Sequence, residues 1–265
     1  MNAPLSPLFD THAHYDDAAF DADRHAVLEA LTERYVRVVN AGCDLVSSRA
    51  SVALAERYPF VYAACGVHPS ASAAAAAGSL VWLEELLLHP KCVALGEIGL
   101  DYHYPAPARE TQRAVFAAQL EMAARSGKPV IVHNREAHGD AMEMVRQYHR
   151  RAVRGTYPLR GVFHCFSGSA EMARELTDMG WYIGLAGPLT YKNARRLRET
   201  AAAVPRVRVL LETDAPYLPP QSRRGKRCDS SMLPETAAAL ADIWGISAEA
   251  ALLQTYCNGV DFYGL

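Results

Sequence analysis

The sequence predicts an α/β protein folded as a single (β/α)8 TIM barrel, with residues 1–265 as one domain and the active site at the carboxyl-terminal rim of the strands. Three observations predict it. Eight short apolar runs alternate with longer helix-like stretches. Those runs are mostly continuous rather than alternating, as expected of parallel strands covered on both faces. No composition shift or long linker divides the chain. A 265-residue chain that is 50% hydrophobic has the apolar material for one large core.

In order, the runs place strands at residues 7–12, 35–42, 60–68, 92–99, 129–134, 161–166, 181–187 and 207–214. Between the fourth and fifth, residues 110–129 carry apolar side chains at helical spacing, with Gly127 as the stop and Pro129 just beyond. Residues 79–90 form another helical stretch. The alanine tract 73–77 before it reads as an exposed helix or loose loop, alanine being the best helix former.

The bulk numbers exclude several classes. Lys and Arg total 27 against 29 Asp and Glu, a net charge of −2. The chain is not coated in basic residues, although a local phosphate-binding patch remains open. Cys43, Cys65, Cys92, Cys165, Cys228 and Cys257 are scattered without a CxxC pair, which fits buried reduced thiols in a cytoplasmic setting. The opening residues lack a signal-peptide pattern, and no apolar run approaches the roughly 18 residues of a membrane span. The expectation is a soluble cytoplasmic monomer.

The candidate functional residues fall at predicted strand ends. His12 and His14 follow the first strand, and residues i and i+2 of a strand face the same way. Glu97 follows the fourth strand and His133 the fifth, while His164 closes the sixth and Asp214 follows the eighth. Six residues of metal-binding types on one rim exceed the three protein ligands that a catalytic zinc usually takes. They suit two metals about 3.5–4 Å apart. Glu97 is the natural bridge, because a carboxylate has two oxygens. His68, at the end of the third strand, is open between a substrate contact and a turn cap. His25, His89, His138 and His149 lie in predicted helices or helix ends and read as structural.

With these residues in place, the chain resembles the TatD family of metal-dependent deoxyribonucleases, among the amidohydrolase-like barrels. The resemblance is carried by FDTHAHYDD, GVHP, GEIGLDY, KPVIVHNREA, FHCFSG, ETDAPYL and RGKR, in the family's order from residue 9 to 227. It implies that His12, His14, Glu97 and Asp214 hold one metal, and Glu97, His133 and His164 a second. It further implies hydrolysis of DNA phosphodiesters, often as an exonuclease, with Mg2+ or Zn2+ as the ions and Mn2+ a third candidate. The chemistry agrees. Asp214 can accept a proton from water as general base, and Arg135 can grip two phosphate oxygens at once. The chain departs from the family after RGKR, where Cys228, Asp229 and Ser230 replace a common Asn-Glu-Pro. Asn258 takes the place of a family asparagine and reads as structural.

Three basic clusters bear on a nucleic-acid partner. Residues 146–154 lie towards the amino-terminal rim and read as a solvated face. Residues 192–198 follow the seventh strand. Arg223, Arg224, Lys226 and Arg227 follow Asp214 on the catalytic rim and are the expected DNA-backbone contacts, at single strands or strand ends. Tyr102 and His103, just past Glu97, are candidates to stack on a base. Two rival functions stand beside the nuclease: a barrel hydrolase of a small amide, lactone or phosphoester, and a non-catalytic binding protein. Glu97 standing where many amidohydrolases carry a carbamylated lysine favours the nuclease over the first. A complete ligand set argues against the second.

Overall fold

The computed structural model describes residues 7–265 except 33, 35 and 153–158. The opening segment 1–6 and Arg154 of the first basic cluster therefore lie outside the described residues. Eight parallel strands run in sequential order: β1 Leu8–Ala13, β2 Val36–Ala41, β3 Val61–Cys65, β4 Cys92–Asp101, β5 Val130–Arg135, β6 Gly161–Phe163, β7 Tyr182–Leu185 and β8 Val209–Leu211. Each expected strand is present. The helices between them are α1 Arg24–Thr32, α2 Leu45–Arg57, α3 Ser72–Ala77 with α4 Val81–Leu87, α5 Arg109–Ser126, α6 His138–Ala152, α7 Ala170–Asp178 and α8 Arg195–Ala203. After β8 come α9 Leu233–Trp244 and α10 Ala248–Tyr263. Gly127 ends α5 in the left-handed conformation, φ 71°, as its place in the sequence predicts.

The barrel interior is filled by inward side chains, among them Phe9, Val39, Ala64, Ile131, Val162, Tyr182 and Leu210, all buried. Phe262 and Tyr263 of α10 join this cluster, and the Tyr263 hydroxyl donates to the Thr11 carbonyl at 2.7 Å. The two-residue strand period then dictates what lies above. Two residues beyond Ile131 is His133, beyond Val162 is His164, and beyond Leu210 is Glu212. The apolar core thus hands over directly to an ionisable layer at the carboxyl-terminal rim.

β8 is short and meets β1 differently from the other pairs. The seam is closed by backbone bonds beyond β8, Asp214 N–H to His12 C=O at 3.0 Å and His14 N–H to Ala215 C=O at 2.7 Å. Buried Asp10 clasps the same seam. Its Oδ1 accepts the Thr213 N–H at 2.9 Å, and its Oδ2 faces the Ser230 hydroxyl at 2.6 Å. Ser230 also bonds the Tyr15 hydroxyl at 2.7 Å. The departing segment Cys228–Ser230 is therefore part of the weld: Cys228 and Ser230 are buried, and the Asp229 side chain caps the turn at Ser231 N. Asn258 is buried on α10 and donates to the carbonyls of Arg206 and Val209, the structural part expected of it.

Candidate metal centre

The six expected ligands converge. The Nε2 atoms of His12 and His14 lie 3.0 Å apart. Both face Glu97 Oε2, at 3.3 and 3.5 Å, and Asp214 Oδ1, at 3.6 and 3.5 Å. In a tetrahedral shell with bonds of about 2.0–2.2 Å, neighbouring donors sit about 3.4 Å apart. These four atoms thus have the spacing of one coordination shell. The other Glu97 oxygen, Oε1, lies 2.7 Å from His133 Nδ1 and 2.7 Å from His164 Nε2, and those two nitrogens are 3.3 Å apart. One carboxylate therefore serves two neighbouring clusters.

The outer nitrogens say which atom each ring offers inward. His14 Nδ1 bonds the Ala41 carbonyl at 2.8 Å, which requires an N–H there and leaves Nε2 as a lone pair. His133 Nε2 meets the Asp101 carboxylate at 3.1 Å, leaving Nδ1 to face Glu97. His164 Nδ1 is 3.7 Å from buried Glu212, whose Oε1 accepts the Cys165 N–H. His68 is oriented the other way. Its Nδ1 accepts the Ser70 N–H at 3.2 Å, so the neutral ring points an Nε2–H towards Glu97 Oε1, 3.7 Å away. This suits a hydrogen-bond donor better than a ligand.

Charge follows geometry. Burial opposes ionisation of Glu97, but His164, His68 and His12 outweigh it and hold the carboxyl well below its usual range. Asp214 is likewise lowered, burial being overcome by His14, His164 and His12. Burial also works against protonation of His14 and His164. Cys43, Asp214 and Glu97 nonetheless raise His14, while Glu97 and Glu212 raise His164. Buried His12 is pushed down, and His68 falls to about 4, by desolvation first. The result is a dense group of ionised carboxylates and imidazoles that a divalent cation can organise by replacing protons. His12, His14 and Glu97 form one group that could hold an ion; His12, His164 and Asp214 another; His68, Glu97 and His133 a third.

The backbone is held tightly at this rim. Asp214 has φ 57° and Cys165 φ 41°, conformations that non-glycine residues adopt at a cost. Gly99 has φ 138°, and a Cβ there would lie 2.0 Å from the His133 carbonyl oxygen. Gly184 leaves room for Glu212, whose Oε2 would stand 2.4 Å from an added Cβ.

A cavity of ≈ 630 Å3 opens beside the cluster, lined by His133, His164, Asp214 and Arg135 together with loops after β6, β7 and β8. Arg135 thus shares the space with the expected ligands, its guanidinium over the Tyr104 ring at 5.5 Å. Arg224 lies over Tyr191, a wall residue, at 4.9 Å. Arg227 is committed elsewhere. It forks onto Asp23 with two 2.7 Å bonds and covers the Phe20 ring. Tyr102 donates to Asp140 at 2.6 Å under Arg109, away from the cavity wall. Sequence reading missed Asp101, Glu212 and Cys43. The Cys43 thiol faces Glu97 Oε2 at 3.9 Å. Asp101 carried a usable signal, four residues after Glu97 in one strand and hence on the same face.

Convergent imidazoles and a shared carboxylate at the rim of a parallel barrel define a metal-dependent hydrolase. A family model described as "TatD related DNase" matches residues 9–264. The metal-dependent hydrolase YabD of Bacillus subtilis, itself uncharacterised, is 38% identical over 237 residues, 89% of this chain and 91% of its own. A protein of Edwardsiella piscicida named 3'-5' ssDNA/RNA exonuclease TatD is 37% identical over 212 residues, 76% of this chain and 78% of its own. Among solved structures, the TatD homologue YjjV of Escherichia coli K12 superposes with a TM-score of 0.89 at 29% identity, covering 98% of this chain and 99% of its own. The chain belongs to the TatD family.

Proposed function

We propose that this protein is a two-metal deoxyribonuclease that hydrolyses phosphodiester bonds at the ends of single DNA strands. The observation that carries the reading is the split use of Glu97, one oxygen facing His12 and His14 and the other facing His133 and His164. Divalent ions held there, Mg2+, Mn2+ or Zn2+, supply charge to the phosphate oxygens and lower the pKa of water. His12, His14, Glu97 and Asp214 hold one ion; Glu97, His133 and His164 hold the other. Asp214, ionised at neutral pH, takes the proton of the attacking water. Arg135 binds the non-bridging phosphate oxygens as a fork. His68, neutral at that pH, donates from Nε2 to an oxygen on the second-ion side.

The relative named as a single-strand exonuclease supports the substrate class. Among the described residues no single helix is long and apolar enough to cross a membrane, and all six cysteines are free, which supports work in a reducing compartment. Exposed large apolar side chains such as Val46 and Val207 stand apart, while Val81 and Leu88 share one surface pocket at α4, and we take the protein to be a monomer. The test is to strip the metals, restore each ion separately, and follow end-labelled single-stranded DNA with wild type and Asp214→Asn. Metal-dependent shortening from one end that is lost in the variant supports the reading. Intact DNA under all three ions overturns it.

A further inference from the structure

β2 supplies none of the expected ligands, yet the turn after it brings a sulfur to the rim. Cys43 lies between β2 and α2, half-buried, with its thiol 3.9 Å from Glu97 Oε2 and in contact with the His14 side chain. That same oxygen also faces His12 and His14. Backbone bonds hold the turn in place. The Gly42 carbonyl accepts the Glu97 N–H at 2.8 Å, and the Cys43 carbonyl accepts the His68 N–H at 2.8 Å. The Cys43 N–H donates to Ser47 Oγ at 2.8 Å, and Ser47 is locked to Asp44 by the capping box of α2. The sulfur is thus aimed by the bonds that also position Glu97 and His68.

A thiol is a weak hydrogen-bond donor, so a 3.9 Å contact does little for either group by itself. For two ligands of one ion the same spacing is ordinary. With ion–sulfur bonds of about 2.3 Å and ion–oxygen bonds of about 2.0–2.2 Å, the donors can stand up to about 4.5 Å apart. Cys43, His12, His14 and Glu97 together make a mixed set of the kind that zinc accepts. The second position, with Glu97 Oε1, His133 and His164, offers only oxygen and nitrogen. The two positions therefore differ in softness, and a thiolate selects zinc-class ions where carboxylates suit magnesium.

We propose that Cys43 is a ligand of the first ion and sets which ion that position keeps. On binding a zinc-class ion, Cys43 gives its thiol proton to solvent as the sulfur–ion bond forms, with no change of oxidation state. With Mg2+ the thiol stays protonated and unbound. The proposal rests on the two-ion reading and adds an asymmetry to it. A soft ion is kept beside His12 and His14, and a hard one exchanges beside His133 and His164. With Asp214 the first shell has five donors, and four remain when that carboxylate takes a proton.

The test loads metal-free protein with Co2+, a coloured stand-in for zinc, and reads the absorption spectrum. A sulfur-to-cobalt charge-transfer band should appear as the ion is added and be missing from Cys43→Ser. Serine keeps the size of the side chain, and circular dichroism checks the fold. In that variant Zn2+ affinity should fall by at least about tenfold, the loss typical even for groups outside the ligand shell, while Mg2+ affinity holds. A second measurement needs no variant: Zn2+ should shield Cys43 from iodoacetamide, read by peptide mass spectrometry, and Mg2+ should not. A band lost with Cys43 supports the assignment even where DNA stays intact, so this proposal and the nuclease reading fail separately. Bound cobalt without the band, a band that survives in Cys43→Ser, or equal shielding by the two ions overturns the assignment while the metal centre stands. Protein that binds none of these ions overturns both.

Discussion

His14 and His133 show how an imidazole is readied as a candidate ligand through its outer nitrogen. The Ala41 carbonyl takes the Nδ1–H of His14, and Asp101 takes the Nε2–H of His133. Asp101→Asn should therefore weaken ion binding at the second position by about 10–100-fold, measurable by chelator competition, while the first position keeps its affinity. The direction of the pKa shifts gives a pH prediction. His14, His133 and His164 are raised in the metal-free cluster, so protons compete with the ion. Ion affinity should climb as pH rises above the ordinary imidazole range, with proton release seen calorimetrically in buffers of different ionisation enthalpy. At this scale the sequence was informative where a residue comes just past a strand, as His164 does after β6; Glu97, expected after the fourth strand, lies inside β4, which runs on to Asp101. It was blind where direction depends on a loop. Tyr102 and Arg227 are close to ligands along the chain, yet Asp140 and Asp23 draw their polar ends elsewhere.

The strands were legible as elements because parallel, doubly covered β-structure writes itself as continuous apolar runs. The closure of the barrel was not. β8 has only three residues, and its junction with β1 depends on contacts some 200 residues apart, such as Asp10 with Thr213 and Ser230. Burial raises Asp10 to about 7, opposed by the hydrogen bonds from Ser230 and Thr213. Removing a donor from this carboxylate leaves it short of a partner. Ser230→Ala should cost about 1–3 kcal/mol in urea unfolding of the metal-free protein, with an unchanged denaturant slope. Gly99→Ala makes a sharper demand, since its Cβ meets the backbone that carries His133. That variant should lose ion binding at the second position even where it still folds, as ion titration with circular dichroism beside it would show.

For the whole molecule, bound ions would tie β1, β4, β5, β6 and the end of β8 together at one rim. Ligands that bind only the folded state stabilise it by about 4 kcal/mol at 1,000 times Kd, so chelation should lower Tm by about 10 °C for a chain of this size. Differential scanning calorimetry with and without chelator checks this. A net charge of −2 conceals the local cations at the cavity. If Arg135, Arg196 and Arg224 each neutralise a phosphate, log K for a single strand should fall with log salt at a slope of about −2. Arg224→Ala should make that slope shallower, whereas Arg227→Ala should act on stability through Asp23.

The seam has a further consequence for biosynthesis. His12 and Asp214 face each other at 3.6 Å, but 202 residues of chain separate them. At about 5–20 residues per second, roughly 10 to 40 seconds pass between the ribosome's making the first and making the last. By the last quarter of that interval the nascent chain carries the four histidines and Glu97, still without Asp214 or the strand end that positions it. A chain released early, before Asp214 and Ser230 emerge, lacks both the base and the weld. Products that end before Asp214 are thereby born without the nuclease activity proposed here.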